Sequence, residues 1–562
     1  MSDSLAACPV PGAPGRAGPL ASPQAVALAC LTVGLSALAL PVALVRVPPL
    51  LDYPNHLARL WLLGGGIDRP PLSAMYAADW GAAWTNIGAD LLAAALGRLG
   101  VGGDVVAPLL LVAALVLPPL GAALLNRAVF GGWHWWQAGF AVLAFNSTVL
   151  AGFLSFQVGL GLALLAAAAD PAIGRRFGAP GGVAARVALC SALLVFHAFA
   201  AAFYAALLAA LAFGAERAPF GPAVLRSVRA AGPALGVPLA VFVLAAPTLP
   251  GGHTPLELGV RWAGYGPAEK LTALLSAIVT YDAAIDFAVV LALWGVGRVA
   301  SSASMLRVHA GLLFAALGLL ALALVLPSSL GGTAFVDWRF PIMALLVAVA
   351  ALRPGLRGSR GPALAACLLL LLALGRTAWI AGIWHERQSD VAAVERALEL
   401  VPAGAAVLPA HHTLFADTEM PRGRRLAVGL PVHWHYQALA VPRRAAFVPT
   451  LFTAPGKQPL RVRAPWDSIA VLEGVPAPAH FLRSFASTPG NLYDVGYASD
   501  WRARFDYVLL LNADMPDAHG GMPALPELEL LFDEGFARLY RVRRGPADLP
   551  IGGGAGSDPS GG

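Results

Sequence analysis

Charge is scarce in this chain. Only 12% of its 562 residues are Asp, Glu, Lys or Arg, against 58% hydrophobic, and the mean hydropathy is +0.68. A water-soluble surface needs roughly a quarter or more of its residues charged, so a bilayer must cover most of the chain. Cysteine is nearly absent too. Of the four present, Cys8 stands in the N-terminal tail and Cys30, Cys190 and Cys367 fall inside apolar runs, which leaves no disulfide framework, metal knuckle or redox motif. A concentrated basic patch is also missing. The net charge of +6 comes almost wholly from arginines scattered through short loops, so no nucleic-acid partner is expected. No internal repeat is visible.

What the chain does have is long Leu/Ala/Val runs, interspersed with 61 Gly and 46 Pro that punctuate membrane helices and their turns. The first run, Ala25 to Val47, is too long for a signal-peptide core and lacks a cleavage site, so it reads as an uncleaved helix ended by Pro48 and Pro49. Further runs lie near 104–125, 137–150, 152–169, 184–197, 199–214, 231–247, 283–297, 309–327, 340–352 and 361–381. The fold expected is a multi-span α-helical membrane protein of about eleven transmembrane helices, carrying a C-terminal extracytoplasmic α/β domain.

Basic loops prefer the cytoplasm. Arg186 and Arg217 therefore bracket a hairpin of two short spans with its apex near His197, and Arg127 with Arg175 and Arg176 brackets another with its apex near Asn146 to Phe153. Alternating the sides puts these arginines, with Arg226, Arg229, Arg298, Arg307, Arg353, Arg357 and Arg360, on the cytoplasmic face. On the outer face fall a long loop (48–103), a second (248–282), a third (328–339) and everything after Trp384. The organisation expected is a cytoplasmic tail (1–24), a transmembrane domain (25–384), a periplasmic α/β domain (385–550) and a disordered Gly-rich tail (551–562). In the outer domain, strand patterns at Ala405 to Leu408, Ala446 to Pro449, Tyr507 to Leu511 and Ala537 to Val542 alternate with helical patterns such as Val391 to Leu400. The Arg-rich, Ala/Gly-heavy composition reads as bacterial, which makes the membrane the inner (cytoplasmic) one.

The most informative segment follows the first span: Leu51-Asp52-Tyr53-Pro54-Asn55-His56-Leu57-Ala58-Arg59. Read as a helix, Asp52, Asn55, His56 and Arg59 occupy i, i+3, i+4 and i+7, one polar face opposite Leu57, Leu60 and Trp61. That describes a helix lying on the membrane surface and presenting a carboxylate, an imidazole and a guanidinium together. The plainer alternative is that Asp52 only caps the helix, with Pro54 in its first turn. Capping accounts for Asp52 alone, and leaves the alignment of Asn55, His56 and Arg59 without a reason.

A long N-terminal helix, a large outer loop opening on an acid, short paired spans and a terminal α/β domain together resemble the glycosyltransferase-C superfamily. The sharp motif is Asp52 with the Tyr53-Pro54-Asn55-His56 that follows. The resemblance implies a membrane enzyme that transfers a hexosyl or pentosyl unit, with inversion, from a polyprenyl-phosphate donor to an envelope glycan, lipid or protein at the outer face. The first-loop acid would stand at its catalytic centre. Many members carry two adjacent acids here, whereas Tyr53 follows Asp52, so the use of a divalent metal ion stays open.

The residues suit that chemistry. Asp52 or His56 can supply the base that an acceptor hydroxyl needs, and Arg59, Arg261, Lys270 or Arg339 the positive charge that a departing lipid phosphate needs. Asn86 and Asp90 open an amphipathic stretch that either lines the same cavity or merely starts a helix. His197, Asp337 and Arg339 are read as substrate-binding, against the alternatives of a satisfied core histidine and an interface salt bridge. His411, His412, His433 and His435, with Asp417 and Glu419, fit no compact zinc spacing, and Trp434 and Tyr436 either stack on a sugar or dock the domain. Two competing functions remain open: a transporter or lipid flippase, and a non-catalytic envelope assembly protein.

Overall fold

The computed structural model describes residues 22–214, 219–245, 260–263, 266–301, 306–330, 333–356, 360–483 and 496–544. The tail expected at 551–562, almost all of 1–24, and Arg217 and Arg357 lie outside them. Among the described residues, five helical stretches are long and apolar enough to cross a bilayer: Pro23–Ala43, Gly103–Phe130, Leu154–Phe196, Phe220–Val241 and Arg360–Glu399. Shorter apolar helices, Ala198–Gly214, Ala310–Val325 and Arg339–Ala350, pack among them. The chain is thus a helical membrane protein with a sheet-containing C-terminal region.

The 43-residue stretch Leu154–Phe196 is two arms, because Gly178 (φ +65°) breaks the helix and turns the chain back. Arg186 on the second arm then grips Asp170 on the first through two bonds of 2.7 and 2.8 Å. Two antiparallel arms is the arrangement the flanking arginines predict. The run expected as a span over 137–150 differs: Trp135–Ala144 is a 3-10 helix, followed by the single turn Ser147–Leu150. Side-chain bonds hold it in place, with Trp135 Nε1 donating to Pro354 O and Trp136 Nε1 to Val349 O. Ten residues at about 2.0 Å each cover only about 20 Å, short of a bilayer core.

The bundle has two chemically distinct ends. Gly103 lies against Leu60 and Trp61, and the 28-residue helix it opens carries the chain about 42 Å away to Phe130. At Phe130 the Arg353 Nη1 donates to its carbonyl at 2.8 Å, the Arg307 guanidinium stands 5.7 Å from its ring, and Arg127 lies over Trp133. Asn126 ties this end to Ala350 and Leu352, the far end of the helix that begins at Arg339. Arg127, Arg307 and Arg353 therefore gather at one end, and Asp52, Gly152, His197 and Arg339 at the other.

The C-terminal region packs on that second end. Its five-stranded sheet runs in the order Leu528–Glu534, Ala537–Val542, Tyr507–Leu511, Val407–His411, Ala477–Pro478, antiparallel through the first three and parallel thereafter. The helix Gln388–Glu399 covers it. The segment expected as a strand at Ala446 to Pro449 contributes only an isolated bridge from Phe447 to Ala406. The first outer loop joins this unit directly, because Tyr76–Ala78 pairs with Leu460–Val462.

One expectation is overturned. The helix Tyr53–Leu63 does not lie on the membrane surface with a wet polar face; every residue in it except Trp61 is buried. Its polar side chains are spent inward, on the C-terminal region and on the helix Gly88–Arg98, where Arg59 Nε meets Asp90 Oδ1 at 2.9 Å. Both partners of that ion pair are essentially inaccessible, at 1% and 0% exposure. Breaking a buried pair strands a charge, whereas replacing both partners with apolar groups is often close to neutral. Arg59→Ala is therefore expected to cost about 3–5 kcal/mol, and Arg59→Leu/Asp90→Leu to recover much of that loss. Thermal melting of the three purified proteins checks it; a double variant no more stable than the single one would contradict the ion-pair account.

Candidate functional site

The site grows from one turn. The N–H groups of Leu51 and Asp52 donate to Leu150 O (3.0 Å) and Ala151 O (3.2 Å), which lays the first-loop chain against the turn at Ala151 to Phe153. Gly152 adopts φ +91°, and a Cβ there would fall 2.7 Å from the Asp52 Cβ, so only glycine lets the two strands of chain approach this closely. Asp52 is the residue before the helix Tyr53–Leu63, yet its carboxyl makes no capping bond. The side chain keeps 17% exposure in a surround that is otherwise closed.

The C-terminal region supplies half of that surround. His435 Nε2 stands 3.5 Å from Asp52 Oδ1. The Phe452 ring lies edge-on to both His435 and His56, with centroids 5.1 and 6.0 Å away. Asn55 holds Phe452 there with a two-way clasp: its Nδ2 donates to Thr450 O and its Oδ1 accepts from Phe452 N, both at 3.0 Å. Gln437 Nε2 donates to Trp434 O (2.8 Å) and Thr450 Oγ1 (2.9 Å), fixing the His435 turn against the same segment. Glu473, held by Lys457 at 3.0 Å, adds a second carboxylate that acts on Asp52 electrostatically.

These neighbours set the protonation states. Burial first, and then the field of Glu473, push the Asp52 carboxyl up to about 8 against the opposing pull of Arg59 and Arg339. Burial depresses His435 to about 3, and burial and Arg59 hold His56 well below the ordinary imidazole range. Both imidazoles are neutral at physiological pH. His56 Nε2 contacts Gly152 O at 3.0 Å, and since a carbonyl only accepts, that nitrogen carries the proton. His56 thus braces the Gly152 turn on which Asp52 rests.

Of the four cations offered for a phosphate, Lys270 is paired with Asp337 at 2.8 Å, and Arg59 gives its Nε to Asp90 at 2.9 Å while its Nη1 and Nη2 are buried without a partner. Arg261 lies exposed on the two-residue strand Val260–Arg261. Arg339 is different. Its guanidinium is surrounded by the rings of Phe153, Phe156 and Phe199 at 4.7, 5.8 and 5.2 Å, and Nη1 donates to the carbonyls of Ala334 and Phe335. Phe335 adopts a left-handed backbone, φ +56°, to offer that carbonyl. No carboxylate among the described residues lies within ion-pair distance of Arg339, and its Nε is buried without a partner.

The remaining candidates divide. His197 belongs to the same aromatic wall, 5.5 Å from the Phe156 ring and 5.7 Å from Phe199, with Nδ1 accepting from Phe199 N. Asp337 accepts from Ser328 as well as Lys270, as a structural acid. Asp90 serves Arg59. Asn86 takes φ +62° in the turn ahead of Gly88–Arg98 and is not tied to Asp52 by any bond among the described residues. Spacing alone missed His435 as a partner of Asp52, and missed Phe452, Glu473 and Lys457 altogether. They stand some four hundred residues downstream, and no local pattern points to them.

The four outer histidines do not converge. His411 and His412 use their Nδ1 atoms on the carbonyls of His412 and Met515, and His433 packs on Phe536. Among the described residues, no three His, Cys, Asp or Glu side chains are placed to hold a metal. At Asp52 the nearest donors are one carboxyl and one imidazole beside an aromatic ring, which is a poor match to a hard divalent ion that takes about six or more oxygens.

No family model matches the sequence, and no curated protein does. Among solved structures the chain is similar to the cryo-EM structure of the arabinofuranosyltransferase AftD from Mycobacteria, at 16% identity and a TM-score of 0.41. The match covers 92% of this chain and 40% of that one, so the chain spans well under half the length of that structure.

Proposed function

We propose that this chain is a membrane glycosyltransferase of the glycosyltransferase-C type. It would move a hexosyl or pentosyl unit from a polyprenyl-phosphate donor to an envelope glycan, lipid or protein at the outer face of a bacterial inner membrane. The observation that carries the proposal is the Asp52 carboxyl, which spends nothing on its own helix, keeps 17% exposure, and has a neutral imidazole 3.5 Å away and the fields of Arg59 and the carboxylate-free Arg339 acting on it. A structural acid would be capped or paired; this one is held in reserve.

In this reading Asp52 takes the proton of an acceptor hydroxyl while that oxygen bonds to the anomeric carbon. The bond from that carbon to the lipid phosphate breaks, and the phosphate leaves with the electron pair, inverting the centre. Arg339 meets the charge that develops on the phosphate, strengthened by its dry aromatic surround. His435 orients the carboxyl, His56 and Gly152 set its position, and Arg59 with Asp90 braces the helix behind it. The ring wall of Phe153, Phe156, His197 and Phe199 is the apolar side along which a lipid chain would approach. The N-terminus would be cytoplasmic and the C-terminal region periplasmic or extracellular, from the gathering of Arg127, Arg307 and Arg353 at the opposite end.

Asp52→Asn keeps the shape and removes the base. It is expected to lower release of polyprenyl phosphate from labelled lipid-linked sugars by about 10²- to 10⁴-fold, the usual share of general base catalysis. Equal turnover by the wild type and the variant would refute the assignment. The base acts only when ionised, so the rate should rise with pH through about 8, the value to which burial and Glu473 raise it. Glu473→Gln removes the repelling charge and should move that limb to lower pH. A limb in the ordinary carboxylate range, unmoved by Glu473→Gln, would show that Asp52 is not the titrating group.

A further inference from the structure

A cavity of about 480 Å³ opens where the 420–429 loop of the C-terminal region meets the segment from Thr272 to Ala283. It shares no lining residue with the Asp52 centre. We propose that it binds the phosphate headgroup of an anionic membrane lipid.

The charge balance of the lining is one-sided. Arg422 and Arg425 line the cavity and no Asp or Glu does. The nearest acids are already engaged: Asp282 caps the helix Ala283–Ser301 through the N–H groups of Ala284 and Ile285, and Glu386 reaches Arg422 at 3.4 Å, with both side chains about half exposed. Arg425 has no side-chain partner among the described residues. Two guanidiniums over a concave wall suit a phosphodiester, which accepts the paired N–H bonds that a carbonyl or a sugar hydroxyl cannot.

The scaffold beneath them is rigid. Arg424, between the two, points inward and bonds both Asp390 and Asp514 through pairs of contacts at 2.8 Å. The Ala427 N–H donates to Thr280 O at 2.8 Å, fastening the loop to the opposite wall. The cavity therefore exists only while the C-terminal region is seated on the membrane bundle.

Its position names the source of the phosphate. Ala283 begins a helix whose Ile285, Phe287, Leu291 and Trp294 are 40–66% exposed, an apolar face that belongs in lipid, and Leu271 beside the cavity is 59% exposed. The arginines thus stand at headgroup height above an acyl-chain surface, the geometry in which basic pockets hold anionic lipids. Leu275, Val279 and Val428 supply an apolar part of the wall. Occupancy by a lipid would pin the C-terminal region to the bilayer and so hold His435, Phe452 and Glu473 over Asp52.

Native mass spectrometry of the full chain in mild detergent, offered equal amounts of phosphatidylglycerol and phosphatidylcholine, tests this. The wild type should retain phosphatidylglycerol in preference. Arg422→Ala/Arg425→Ala should bind it about tenfold or more weakly, and Arg422→Lys/Arg425→Lys should recover only part of that loss, since an ammonium keeps the charge but not the paired N–H bonds. Inorganic phosphate at the concentration of the lipid should not raise the melting temperature, whereas phosphatidylglycerol should. Equal retention of the two lipids, undiminished binding by the alanine variant, or an equal response to inorganic phosphate would each overturn the proposal. If the double variant melts early in the absence of lipid, Arg425→Ala alone gives the same comparison, since that side chain gives up no protein bond among the described residues.

Discussion

A carboxyl group at the start of a helix normally satisfies itself on the N–H groups of the first turn. Asp52 is denied that outlet, with Pro54 in the first turn and its own Cβ pressed against Gly152. The side chain must turn out of the helix, into the space between the membrane bundle and the C-terminal region. That constraint organises its surroundings: His56 braces the Gly152 turn, Arg59 and Asp90 anchor the helix from behind, and Asn55 clasps the segment that brings Phe452 and His435 forward. Three polar side chains that sequence reading would expose to water are instead spent on holding a fourth in place.

The division of labour between cations follows the same logic. A buried guanidinium paired with a carboxylate is first a fastening, because removing either partner strands the other's charge. Arg59, Arg376 and Arg424 are of this kind, on Asp90, on Asp286, and on Asp390 with Asp514. Arg339 is not, since rings and carbonyls surround it in place of an anion. Rings stabilise a cation without neutralising it, which leaves its field available to whatever anion arrives.

Much of the architecture was legible in the sequence because it depends on local, cumulative properties. Hydropathy located the apolar helices, and Arg127, Arg307 and Arg353, three of the arginines expected on one face, gather at one end of the bundle. The i, i+3, i+4, i+7 alignment did place Asn55, His56 and Arg59 on the helix that follows Asp52, but tertiary partners bury them where a wet polar face was expected. The 3-10 segment Trp135–Ala144 was misread as a span because its composition is as apolar as a membrane helix, and only the indole bonds to Val349 and Pro354 explain its geometry. Strands Tyr507–Leu511 and Ala537–Val542 followed from β-branched and Leu-rich runs, whereas Leu528–Glu534, with three acids in seven residues, did not read as one. His435, Phe452 and Glu473 reach Asp52 only through the fold, and no spacing encodes that.

The most direct measurement is the titration of the carboxyl itself. Infrared difference spectra of the wild type and Asp52→Asn, collected across a pH series in lipid, isolate the C=O stretch of the protonated side chain. The account predicts a band present at neutral pH in the wild type only, lost with a midpoint of about 8. An Asp52 band that has already vanished in the ordinary carboxylate range would show an acid open to water and free of its neighbours' influence, and would contradict the central claim.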